Sequence, residues 1–273
     1  MTTTTGNRDR AEARVSVRVY STCPQSKDIE ASRYLQAVAD VSRWSEAAGC
    51  EGILVYTDNG IVDPWLVSQV VLESTQQLKP LVAIQPVYMH PYSAAKMVAS
   101  FAFIHGRSIA LNMLAGGFKN DLLALGDQTP HDERYERTVE YTQILMDLVR
   151  GEGPVTGDGR YYQVTNLRLT PAVPADLVPE VLMSGSSPAG LAASRRLGAT
   201  AVKYPRPPGE EEGGLNRSKQ SHWSSGRCAV SEAAPDPKIK PGTGERNHRL
   251  GVAASRSRGG GSRGQAAGSR VTL

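Results

Sequence analysis

From Val15 to about Pro208 the chain alternates short β-prone apolar runs with longer stretches of helical periodicity, and this rhythm constrains the fold most. "VSVRVY" (15–20) reads as a strand and "YLQAVADVSRWSEAAG" (34–49) as an amphipathic helix closed by Gly49. "GILVY" (52–56), "PLVAIQP" (80–86) and "SIALNML" (108–114) read as buried strands, separated by helices over 64–75 and 93–105. A helix over 131–149, the strand "EVLM" (180–183), a helix over 187–197 and the strand "TAVKY" (200–204) continue the pattern. Buried strands alternating with helices mean βαβ units and a parallel sheet. Six such strands would serve an open doubly wound sheet, whereas a closed (β/α)₈ barrel needs eight. One insertion interrupts the rhythm: "VTGDGRYYQVTNLRL" (155–169) carries a Gly-Asp-Gly turn between β-prone runs and reads as a small hairpin.

After Pro208 the rhythm stops. Residues 209–273 are dominated by Gly, Ser and Arg and have no periodic apolar face. They read as a disordered tail, as a basic nucleic-acid arm, or as the product of a slipped coding frame. Three segments are therefore expected: a flexible N-terminus (1–14), an α/β domain (15–208) and the tail (209–273). The net charge of +4 belongs to that tail, which holds 11 Lys and Arg against 6 Asp and Glu, so the body gives no electrostatic sign of nucleic-acid binding. No apolar run approaches the roughly 18 residues of a membrane span, and the polar start has no secretory apolar segment. Cys23, Cys50 and Cys228 stand too far apart for a CxxC pair, which excludes a zinc motif or disulfide framework and points to a cytoplasmic protein with reduced thiols.

Three stretches could carry chemistry. "NMLAGG" (112–117) ends a strand with Gly116 and Gly117, which let a backbone approach a ring or phosphate closely or simply make a turn. In "SGSSPAG" (184–190), Ser186 or Ser187 can cap a helix whose first N–H groups face an anion, or face only water. "TPHDERY" (129–135) offers Thr129 as an N-cap and Pro130 as a first helical residue, while Asp132 and Glu133 complement the helix start. His131 and Tyr135 then lie one turn apart on one face. No second His–carboxylate set accompanies His131, so no metal site is expected. No GxSxG or Cys/His arrangement supports a nucleophile.

Taken in order, "PWLVSQVVLESTQQLKPLVAIQPVYMHPYSAAKMVASF", "NMLAGG", "HDERYERTVEYTQILMDLVRGE" and "VLMSGSSPAG" resemble the bacterial-luciferase-like flavin monooxygenases. Their spacing looks most like the alkanesulfonate monooxygenase branch, over about residues 15–208. The resemblance implies a TIM barrel, here with about six βα units and so incomplete, binding FMN at the carboxyl ends of its strands. It implies reduced FMN supplied by a separate flavin reductase, O₂ as co-substrate, a small-molecule substrate, no nucleic-acid or membrane partner, and a homo-oligomer. The family's flavin contacts map onto Asp58, Asn59, Ala115, His131, Tyr135, Ser186 and Ser187, with Tyr135 and the two serines at the phosphate. Ala115 stands where the family commonly has threonine. Cys23 stands at a histidine and Ile61 at a cysteine of the alkanesulfonate enzymes, and Tyr204 stands at a tryptophan. Cys23, Asn59 and Tyr204 are the substrate-side candidates. Two other expectations stand beside this one: a deazaflavin-dependent oxidoreductase on the same barrel, and a shortened, non-catalytic remnant.

Overall fold

The structure is a computed structural model that describes residues 18–202; Tyr204 and the segments 1–17 and 203–273 lie outside the described residues. Six strands form one sheet: β1 (Tyr20–Thr22), β2 (Gly52–Val55), β3 (Lys79–Ile84), β4 (Ala110–Leu114), β7 (Glu180–Ser184) and β8 (Thr200–Ala201). Every neighbouring pair is parallel, and the strand order follows chain order without reversal. A doubly wound sheet would reverse its order at a switch point. Right-handed crossovers running one way place all the helices on one face and leave the other to curl inward.

That inward curl is visible in one ion pair. Arg18, just before β1, donates to the Glu180 carboxylate of β7 at 2.5 and 2.6 Å. Four strand spacings separate them along the sheet, about 19 Å if it were flat, which is more than the two side chains can bridge. Leu54, Leu81, Ala110 and Leu182 form a buried cluster with Tyr20, Tyr56 and Val202 packed against it, and this is the concave inner layer. Gly52 belongs there by necessity, because a Cβ at that position would lie 2.4 Å from the Lys79 carbonyl and 2.8 Å from the Tyr20 ring.

The helices cover the other face. α1 (Ala31–Ala47) and α2 (Pro64–Ser74) bury Val38, Val67 and Val71 against Ile53 and Val55. α3 (Pro91–His105), α5 (His131–Arg150) and α6 (Pro188–Leu197) share the larger core with Val82, Leu111 and Met183. Local chemistry sets their starts. Asp63 accepts from the Trp65 and Leu66 amides ahead of Pro64, and Ser187 accepts from the Gly190 amide ahead of Pro188. The expected Thr129 cap is a correction: α5 is preceded by Pro130 with no side-chain cap, and the Thr129 hydroxyl donates to Asp127 instead at 2.6 Å.

The insertion is a hairpin, with β5 (Val155–Asp158) antiparallel to β6 (Gln163–Leu167). Its reversal spans 159–162 and so starts on the last glycine of Gly-Asp-Gly, with the Gly159 amide donating to the Tyr162 carbonyl at 3.0 Å and the Glu140 carboxylate accepting from the Tyr161 and Tyr162 amides. A short helix that the periodicity did not announce, α4 (Lys119–Ala124), follows β4. Among the described residues no helix is long and apolar enough to cross a membrane.

Candidate functional site at the carboxyl ends of the strands

Three of the stretches singled out in the sequence meet at this end of the sheet. Asn112 of "NMLAGG" is fully buried, and its Oδ1 accepts from the Ser184 hydroxyl at 2.9 Å, which joins the end of β4 to the end of β7. Tyr135, in the second turn of α5, is 8% exposed and lies against the backbone of "SGSSPAG". A Cβ at Gly185 would sit 2.6 Å from the Tyr135 hydroxyl, and one at Gly190 would sit 3.1 Å from its ring. A side chain at Gly185 would have to displace the phenol's outer end, and one at Gly190 would press on its ring, so the two glycines let the phenol lie against the start of α6. There Ser187 caps the helix by accepting from the Gly190 amide at 3.1 Å, and Ser186 is exposed beside it.

His131 packs edge-on to Tyr135 at 5.3 Å between ring centroids, with its Nδ1 2.6 Å from Asp132 Oδ1. Its ring is exposed at the mouth of the site. Ala115 is buried at the end of β4. The glycine after it adopts a φ of +99°, and the Gly116 carbonyl accepts from Arg134 Nη1 at 2.9 Å. Arg134 therefore ties the glycine turn to the start of α5.

A second brace fixes the same helix start. Arg137 donates to Asp127 Oδ2 at 2.6 Å, and both side chains are largely buried. Burial alone would raise the Asp127 carboxyl; the Arg137 guanidinium and the Thr129 hydroxyl and amide overcome it and hold the group at about 2. The hairpin adds a third brace, for Tyr162 donates to the Pro86 carbonyl at 3.2 Å and stands edge-on to Tyr141 and His90.

Asp58 and Asn59 lie across the sheet, after β2. Asp58 Oδ1 accepts from the Gly60 amide at 2.7 Å. Asn59 is held by α4 through Nδ2 to the Asp121 carbonyl at 3.1 Å, and its Oδ1 accepts from the Tyr88 hydroxyl at 2.7 Å. A cavity of about 260 Å³ opens here, between the loops after β2 and β3, lined by Asp58, Asp63, Gln85 and Tyr88 over Ile61 and Trp65. Burial pushes the Tyr88 phenol up to about 12, and the Asp121 and Asp58 carboxylates add to it.

The described candidates thus fall into two groups, Asp58 with Asn59 after β2 and His131, Tyr135, Ser186 and Ser187 around the starts of α5 and α6, and Cys23 belongs to neither. It is 4% exposed, packed among Tyr34, Val38 and Ile53, and burial pushes its thiol up to about 12. Tyr204 lies outside the described residues. Sequence reasoning missed Arg134, Arg137, Asp127, Gln85 and Tyr88. The Arg134/Arg137 spacing within "HDERYER" was the one available local signal, and it reads equally as a solvated helix face. Among the described residues no group of three or more His, Cys, Asp or Glu side chains could hold a metal ion.

Known proteins agree with this architecture. One curated relative, the 4-(gamma-L-glutamylamino)butanoyl-[BtrI acyl-carrier protein] monooxygenase BtrO of Niallia circulans, is 34% identical over 175 residues, covering 64% of this chain and 51% of that protein. The chain thus spans about half the length of that relative. Among solved structures, the EDTA monooxygenase EmoA from Chelativorans sp. BNC1 superposes with a TM-score of 0.57 at 17% identity, over 66% of this chain and 52% of that one. The coenzyme F420-dependent tetrahydromethanopterin reductase from Methanopyrus kandleri gives 0.54 at 16% identity, over 65% and 53%. At these identities the structures speak to the fold alone, which is of the TIM-barrel type. The sequence model for the family described as luciferase-like monooxygenase matches residues 16–227, most of the chain, and this protein belongs to that family.

Proposed function

We propose that this chain is the oxygenating component of a two-component system, a monooxygenase that takes reduced FMN from a separate reductase and acts with O₂ on a small organic molecule. The observation that carries the reading is the seating of Tyr135 against Gly185 and Gly190 at the start of α6. The phenol, the exposed Ser186 and the capping Ser187 border a helix N-terminus where a phosphate dianion would be stabilised. In this reading those three residues hold the phosphate end, Ala115 and the Gly116 turn give the ring system room, and exposed His131 closes over its edge. Asp58 and Asn59 face the site from β2. Reduced flavin, when bound, supplies the reactivity toward O₂, while this chain's residues bind, orient and exclude water. The hairpin brace between Tyr162 and Pro86 serves that exclusion by covering the end of β3.

A second reading is a deazaflavin oxidoreductase. It is favoured by the fold likeness to a coenzyme F420-dependent reductase. Anaerobic titration with reduced FMN and, separately, reduced deazaflavin, followed by admission of O₂ over candidate substrates, decides between them. Micromolar binding of reduced FMN with O₂-dependent product supports the monooxygenase. Tighter binding of the deazaflavin with no O₂ consumption would replace it.

A further inference from the structure

The short helix α4 stands between the two groups of candidate residues and is tied to both. Toward α5 the ties run through Leu122, which is buried. A Cβ on Gly116 would lie 2.9 Å from Leu122 Cδ1, so the glycine turn after β4 sits directly on that side chain. The Gly116 carbonyl in turn accepts from Arg134, the residue before Tyr135. The Leu122 carbonyl accepts from the Asp127 amide at 2.8 Å, and the Asp127 carboxylate holds Arg137 of α5. Displacing α4 therefore disturbs the contacts that set the start of α5.

Toward β2 and β3 the tie is Asn59. Its Nδ2 donates to the Asp121 carbonyl at 3.1 Å, and its backbone amide donates to Asp121 Oδ2 at 3.4 Å. Its Oδ1 accepts from the Tyr88 hydroxyl at 2.7 Å, and that hydroxyl accepts from Gln85 Nε2 at 3.1 Å. A backbone carbonyl only accepts, so the Asp121 contact fixes which way the Asn59 amide faces. Gln85 is buried at the end of β3 and anchors the relay in the sheet. Asn59 is exposed, yet both ends of its carboxamide are held by other loops of the surface.

We propose that Asn59 is a positioning residue. It seats α4 against the loops after β2 and β3 and, through Leu122 and the Gly116 turn, holds the start of α5 at the cofactor end without itself touching the flavin. The flavin half of this rests on reading the surface as a flavin site; the seating of α4 does not.

Hydrogen exchange on the 273-residue chain tests the seating. In Asn59→Ala the amides of 115–117 and 121–125 are expected to exchange roughly fivefold or more faster than in wild type, while those of α1 keep their rates. Asn59→Asp keeps the acceptor for Tyr88 but has no N–H for the Asp121 carbonyl, so it should exchange like the alanine variant. Wild-type rates over either stretch, in either variant, overturn the proposal. Anaerobic titration with reduced FMN tests the rest, on Asn59→Ala, Leu122→Ala and the double variant, with Leu122→Val in place of Leu122→Ala should circular dichroism show the latter unfolded. Asn59→Ala is expected to weaken FMN roughly threefold or more in wild type and less than about twofold where Leu122 is already truncated. No loss in wild type, or the same loss in both backgrounds as a direct flavin contact would give, overturns the proposal. No FMN binding by wild type sinks the flavin reading alone, and the exchange rates then decide the seating by themselves.

Discussion

At the scale of single residues, Tyr135 packs directly onto Gly185 and Gly190. Gly185→Ala would drive a methyl into the Tyr135 hydroxyl, at 2.6 Å before relaxation, and is expected to cost about 1–3 kcal/mol in urea unfolding. Adding Tyr135→Phe removes the atom in the way, so the double variant should regain part of that loss; strict additivity would show that the two do not touch. Asp127 makes a pH prediction. Its folded value of about 2 lies below the ordinary carboxylate value, so its contribution is complete above about pH 4 and is lost as pH falls toward 2. Asp127→Asn should remove about 2 kcal/mol at neutral pH and flatten stability over that acid window. The start of α5 at His131 and the Ser187 cap of α6 were legible in the sequence because helix-start chemistry is local. Asp127 and Arg137 were not, since a buried ion pair looks in sequence like two surface charges.

At the scale of elements, most helices and strands were legible from periodicity, and the departures have particular causes. α4 escaped because six residues after a glycine pair carry no full turn-to-turn apolar repeat. The hairpin was expected at Gly-Asp-Gly, and its turn starts on the last of those residues, Gly159, and runs to Tyr162. Glu140 of α5 joins it from outside by accepting from the Tyr161 and Tyr162 amides. Glu140→Ala should therefore speed hydrogen exchange at those two amides while leaving the α5 amides protected; equal protection in both proteins would show that the turn holds itself. Tyr162 anchors the hairpin over Pro86, so loosening the turn should also open the end of β3 to solvent.

At the scale of the whole molecule, the reading turns on six parallel strands laid down in chain order and curled toward one face. Strand count alone left a doubly wound sheet open; strand order and the Arg18–Glu180 bridge decide for the barrel type. That bridge reports the curl more than it causes it. Its side chains are more than a third exposed, so Arg18→Ala should cost under about 1 kcal/mol. Leu81→Ala, which empties the inner layer, should cost about 2–5 kcal/mol. The central claim is that this curled surface holds a reduced flavin through the start of α5 and the start of α6. The most direct measurement is anaerobic fluorescence titration of reduced FMN against wild type and the His131→Ala/Tyr135→Phe double variant, with the fold checked by circular dichroism. Micromolar binding by wild type and at least about tenfold weaker binding by the variant is the expected result. Equal affinity in the two proteins, or no binding by wild type, would contradict it.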